Sequence, residues 1–182
     1  MIQKITENKL LFIAIHIVIG YLATLEDYSK IFGITIVPVS ILLIILARNE
    51  NEEALVLSSY IVGAEVFLRM AKGVIFYETG KYGVLLLLIT GIIIGEFKQK
   101  FAVHYVFYLL LLALGIIFTQ VPQGDSIRNA IVFNLSGPIV LGIAAIYFYK
   151  RPITKKQLTD SLFFMLLPII SMVVYLYFRT PD

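Results

Sequence analysis

Long apolar stretches without a single charge constrain this chain more than any other feature. They run from Leu10 to Leu25, Ile31 to Ala47, Ala54 to Ala64, Tyr82 to Gly95, Phe101 to Gly124, Asn129 to Tyr149 and Ser161 to Phe178. A helix that crosses about 30 Å of hydrocarbon needs about 20 mostly apolar residues. Six of the stretches are 14 to 24 residues long and read as membrane spans, with Tyr82–Gly95 borrowing flanking residues. The seventh, Ala54–Ala64, has only 11 residues and continues into Glu65, Arg69 and Lys72. Seven spans are expected, or six if the third segment lies flat or re-enters. Bare polar backbone is not tolerated in lipid, so spans are helices or strands of a closed barrel. Barrel strands alternate in hydrophobicity, and Val84–Ile89 and Leu109–Leu114 do not. The expected fold is an all-α, polytopic transmembrane helix bundle forming one domain over residues 1–182.

Composition agrees. Of the 182 residues, 59% are hydrophobic and 15% charged, and mean hydropathy is +0.91. Soluble domains are about 45–50% apolar and about 25% charged, so a water-soluble enzyme and a disordered tail are both excluded. The absence of cysteine removes disulfides, thiolate metal sites and cysteine nucleophiles. His16 and His104 are too few for a histidine-built metal site, and no metal or cofactor is expected. P-loop, His-Glu-x-x-His, nucleophile-elbow and dinucleotide-turn motifs are missing. The net charge of +3 is spread over two membrane faces, which leaves nothing for nucleic acid to bind.

Lysine and arginine in short loops set orientation. With seven spans, one side holds Lys4, Lys9, Arg48, Lys98, Lys100, Lys150, Arg151, Lys155 and Lys156, nine in all. The other holds Lys30, Arg69, Lys72, Lys81, Arg128 and Arg179, six in all. The N-terminus is therefore expected in the cytoplasm. The first span follows a basic start but lacks a small-x-small cleavage site before Glu26, so it reads as a retained anchor.

The Ala54–Lys81 segment departs from a plain lipid-facing pattern. On a continuous helix Glu65, Arg69 and Lys72 fall within about 60° of one another. Glu65 and Arg69 have the i, i+4 spacing with the acid first, the better order for a helical ion pair. A charge at mid-bilayer costs at least about 2.5–3.5 kcal/mol, so the stripe should face protein or a water-filled cavity. One reading is a polar cavity in the outer half of the membrane, lined by Glu65, Arg69 and Lys72 and capped by Glu78, Lys81 and Arg128. Its basic members would bind phosphate or carboxylate, with arginine offering a planar fork. The other reading ends the helix near Gly63 and leaves the charges solvated at the interface. Glu65 favours the cavity, because a short acidic side chain cannot snorkel far.

The other polar features read as structural. His16 sits mid-span, where a neutral imidazole bonded to a neighbouring helix outweighs a proton relay. His104 lies near the cytoplasmic face. Asn134, Ser136 and Pro138 form a kinked polar spot beside Arg128, with helix–helix glue the favoured use. Pro38 and Pro168 also interrupt spans, without internal symmetry, and Gly91 and Gly95 make a packing notch.

The run Gly63-Ala-Glu-Val-Phe-Leu-Arg-Met70, followed by Phe76-Tyr-Glu-Thr-Gly-Lys-Tyr82, resembles the amino-terminal half of O-antigen ligase/polymerase-like membrane proteins of Bacteroidetes type. Phe133-Asn-Leu-Ser-Gly-Pro138 and Leu166-Leu-Pro-Ile-Ile-Ser171 are similar to the same proteins. The resemblance implies a metal-independent membrane glycosyltransferase of polysaccharide biosynthesis in the bacterial inner membrane. It would take a glycan from an undecaprenyl-diphosphate carrier at the periplasmic face. The matching positions are Glu65, Arg69, Glu78 and Lys81, with Arg69 and Lys81 as diphosphate contacts and Glu65 holding Arg69. Family members are longer, with further spans and a large periplasmic loop that carries catalytic residues. By that comparison the chain resembles an amino-terminal portion, and a further membrane segment or subunit is an expected partner beside the lipid bilayer and the carrier-linked glycan. Two rival readings remain: an ion-coupled transporter gated by Glu65 and Arg69, and a non-catalytic scaffold whose stripe docks a partner helix.

Overall fold

The computed structural model describes residues 8–74, 78–95, 102–118, 120–121 and 126–179. Lys4, Lys98 and Lys100 of the charge count, and Phe76 and Tyr77 of the family-like run, lie outside them. Seven α-helices and no strand occur among the described residues: α1 Lys9–Leu22, α2 Glu26–Ala47, α3 Glu53–Met70, α4 Thr79–Ile94, α5 Val103–Ile117, α6 Ile127–Phe148 and α7 Lys155–Arg179. Three of them, α2, α6 and α7, are long and apolar enough to cross a membrane. That is fewer than the seven spans expected, for two reasons. Helices α1, α4 and α5 are apolar but have only 14, 16 and 15 residues, about 21–24 Å of helix rise. Helix α3 has 18 residues but carries Glu53, Glu65 and Arg69.

Local chemistry explains the helix ends. Glu26 and Asp27 open α2, where acids favour the helix dipole, and Glu26 pairs with Lys30 at 3.0 Å. Ser126 caps α6 by accepting the Asn129 N–H at 3.1 Å. Helix α3 closes in a Schellman motif: the Lys72 N–H donates to the Arg69 carbonyl and the Gly73 N–H to the Leu68 carbonyl, 3.3 and 2.8 Å. Lys72 takes the left-handed conformation this motif requires, with φ of 57°. Pro38, Pro138 and Pro168 all sit inside continuous helices.

Contacts fix the direction of each helix. Phe12 meets Phe164 and Tyr21 meets Phe178, so α1 runs parallel to α7. Tyr60 meets Phe164 and Phe67 meets Tyr175, so α3 runs with them. Helix α2 is antiparallel to α3, with Phe32 on Phe67 and the Ser29 hydroxyl donating to the Ala71 carbonyl at 2.5 Å. Helix α4 is also antiparallel to α3, since Gly91 abuts Ala54 and Gly80 lies under Glu65. Helix α6 runs with α4, and α5 opposes α6 through Tyr105 on Tyr149 and Leu109 on Gly142. Consecutive helices among the described residues therefore alternate in direction.

Helix α3 is the hub, packed against α2, α4 and α7; α1 lies on α7, α6 on α4, and α5 on α6. Ten of its residues are buried, including Glu53 and Ser58, whereas α5 buries none. An apolar core is accompanied by many exposed large apolar side chains and several buried polar ones. Leu10, Leu46, Ile93, Ile117, Phe133 and Tyr177 are exposed, while His16, Ser29, Ser40, Ser136 and Ser171 are buried. Small residues let backbones approach closely, as membrane helices do. A methyl group at Gly20, Gly33 or Gly63 would run into a carbonyl of Ser171, Gly73 or Met165. His16 Nδ1 donates to the Phe12 carbonyl at 2.7 Å, so its Nε2 accepts from the Tyr60 hydroxyl at 2.9 Å. That leaves both ring nitrogens occupied in a contact between α1 and α3.

Candidate functional site

The C-terminal part of α3 and the first turn of α4 meet at one end of the helix assembly. Glu65 and Arg69 form the expected i, i+4 ion pair, and each side chain is about a third exposed or less. The Glu65 carboxylate lies directly over the Cα of Gly80, where any side chain would collide with it. Only glycine at this position lets α4 come so close. One residue further on, Lys81 donates to Glu78 Oε1 at 3.2 Å. Lys81 also donates to the Ser136 hydroxyl of α6 at 3.2 Å, and that hydroxyl donates to Glu78 Oε1 at 3.3 Å. The Lys81 side chain is 35% exposed and that of Glu78 only 9%, so the acid lies behind the base. Glu78 Oε2 is buried with no hydrogen-bond partner among the described residues.

The structure thus gathers Glu65, Arg69, Glu78 and Lys81 around the start of α4. It does not carry Lys72 onto the same ridge. Helix α3 ends at Met70, and the left-handed turn at Lys72 takes that residue off the helical path. The turn is pinned from α2, where Ser29 bonds the Ala71 carbonyl and Gly33 faces the Gly73 backbone. Arg128 is exposed in the first turn of α6, eight residues before Ser136. That is about 12 Å of helix rise from the Ser136 level, so it stands toward the rim. Ser136, read from sequence as helix–helix glue, does bridge α6 to α4, and its partners there are the charged pair Lys81 and Glu78. Its signal was weak, because nothing in the spacing of α4 and α6 links positions 55 residues apart.

A second polar cluster, at the other end of the same helices, was not legible in the sequence. The Tyr147 hydroxyl donates to Glu52 at 2.5 Å, Arg151 donates to the same oxygen at 2.7 Å, and the guanidinium stacks 4.2 Å from the Tyr147 ring. Asn49 donates to the Gly91 carbonyl and the Tyr147 hydroxyl, while its Oδ1 accepts the Ala54 N–H. The buried Glu53 carboxylate accepts from the Asn51 backbone and side chain, each at 3.2 Å. Gly80 and Gly91 mark the two ends of α4, about 16 Å apart along its axis. This second cluster is closed and saturated, as befits a clamp. The first leaves two cations partly open.

Comparison with protein-family models, curated proteins and solved structures finds no match for this chain.

Proposed function

We propose that the protein is a seven-span bacterial inner-membrane protein whose outer end binds the diphosphate of a polyprenyl-linked glycan, as part of an O-antigen ligase or polymerase. The observation that carries the reading is the pair of cations, Arg69 and Lys81, each about a third exposed and each tethered by its own acid at one end of an apolar-surfaced assembly. Alternating helix directions support seven crossings, since each helix returns the chain to the opposite side. Helix α3 packs from Ala54 against Gly91 to Glu65 over Gly80, which favours a full crossing over a re-entrant segment. Its charges are compatible with that, because protein rather than lipid surrounds most of the helix. The short apolar helices α1, α4 and α5 would cross with help from flanking residues or local thinning of the bilayer.

Charge arithmetic decides whether so neutral a site can attract an anion. At an effective dielectric of about 20, a phosphate about 4 Å from the Lys81 ammonium gains about 4 kcal/mol. The Glu78 carboxylate, about 7 Å away behind it, takes back about 2.4 kcal/mol. Attraction survives because the base lies between acid and ligand. The acids hold the cations in place before the ligand arrives, so little reorganisation is needed when charge develops. As an acceptor hydroxyl oxygen bonds the anomeric carbon and its proton passes to water, the bond to the diphosphate oxygen breaks, the electron pair stays on the diphosphate, and Arg69 and Lys81 stabilise it.

The test is genetic and direct. Arg69→Ala and Lys81→Ala, introduced into the protein in its host membrane, should each shorten or abolish the surface-glycan ladder at unchanged protein level. Ladders indistinguishable from the parent would remove both residues from the site.

A further inference from the structure

We infer that Ser136 is a positioning residue that fixes where the Lys81 ammonium points. This deepens the anion-binding reading and rests on it. A lysine held only by an acid three residues away keeps most of its side-chain freedom, because its stem is long and the side chain is partly exposed. Ser136 changes that. It is buried, it stands on a different helix, and it completes a closed ring: Lys81 to Glu78, Lys81 to Ser136, Ser136 to Glu78. Two of the three ammonium hydrogens are then committed inward, and the remaining donor is the one left for a ligand.

Ser29 and Ser171 reach backbone carbonyls of neighbouring helices, whereas Ser136 reaches charged side chains. Ser40, Ser59, Ser161 and Thr90 donate to the carbonyl four residues earlier in their own helices, the default for a hydroxyl on a helix. Ser136 gives up that local bond for two charged side chains on α4. Its hydrogen on Glu78 Oε1 also shares the carboxylate with Lys81, which keeps the lysine from collapsing fully onto the acid. The consequence is that the cation's position depends on the α4–α6 contact as well as on α4 itself.

The experiment uses the full chain in nanodiscs and farnesyl diphosphate as the probe, with affinity read by titration calorimetry. Ser136→Ala should weaken binding about tenfold, the scale of one hydrogen bond to a charged group. Ser136→Thr, which keeps the hydroxyl, should bind within about twofold of the parent. In a Lys81→Ala background, Ser136→Ala should cause no additional loss, because the group it positions is gone. Losses that add in the double variant, or equal losses for alanine and threonine, would make Ser136 merely structural and overturn the inference. Binding by Ser136→Ala equal to the parent's, with Lys81→Ala impaired, would overturn it while sparing the anion site. No binding by the parent would overturn both. Should Ser136→Ala fail to fold, the near-isosteric Ser136→Cys, a weak donor and acceptor, carries the same test.

Discussion

Two glycines show how differently single residues serve this molecule. At Gly63 on α3, a methyl group would meet the Met165 backbone carbonyl of α7. Backbone cannot move aside cheaply, so Gly63→Ala should cost about 1–3 kcal/mol, visible as a lowered midpoint in circular-dichroism melts. At Gly80 the obstacle is the far end of the Glu65 side chain, which can rotate away. Gly80→Ala should therefore melt within about 1 kcal/mol of the parent yet break the Glu65–Arg69 pair and reduce surface-glycan ladders. A large loss of stability at Gly80 with normal ladders would show that the carboxylate's place there is incidental. The sequence made the Glu65–Arg69 pair legible, because i, i+4 spacing is a property of one helix. Gly80 beneath Glu65 and Ser136 beside Lys81 were not legible, because each depends on where two helices cross.

The helices themselves were largely readable from charge-free runs, and their misplacements have local causes. Helix α2 starts at Glu26 rather than near Ile31, since acidic residues and a Glu26–Lys30 pair favour a first helical turn before the apolar run. Helix α3 stops before Lys72 because Gly73 completes the Schellman turn and Ser29 holds its carbonyl side. Lys72 is a non-glycine residue at φ of 57°, a conformation that costs roughly 1–2 kcal/mol for an L side chain. Lys72→Gly should relieve that strain at some entropic cost, leaving a stability equal to or up to about 1 kcal/mol above the parent. A clear destabilisation would mean that the lysine side chain itself holds the turn. At the opposite end, the link from Glu52 to Arg151 spans 99 positions, which no periodicity could reveal. Both partners are only 13% exposed, so Arg151→Ala leaves a poorly solvated carboxylate and should cost about 1–3 kcal/mol, with Arg151→Lys recovering part of it. Melting unchanged by Arg151→Ala would show the clamp to be decorative.

At the scale of the whole molecule, a helix with three charged residues is the most enclosed and the most apolar helix is the barest. Helix α3 carries Glu53, Glu65 and Arg69 at the hub, whereas α5 presents Phe107, Leu110, Leu114 and Ile117 outward. Water would not select that arrangement, but lipid would. Together with the alternating helix directions it leads to a sidedness that can be measured. The start of α1, the turn between α2 and α3 and the start of α7 share one side; the turn between α1 and α2 and the start of α4 share the other. Since the native chain has no cysteine, each introduced one is a unique reporter. Thr24→Cys and Lys30→Cys should react with a membrane-impermeant maleimide in intact spheroplasts, whereas Glu50→Cys and Lys155→Cys should react only after permeabilisation. Lys155 is the most informative position. If α3 merely dipped into the membrane, every later helix would be inverted, and a cysteine at 155 would label from outside beside those at 24 and 30. Labelling of that kind would separate the Glu65–Arg69 pair from the outer surface and leave the proposed diphosphate site facing the wrong compartment.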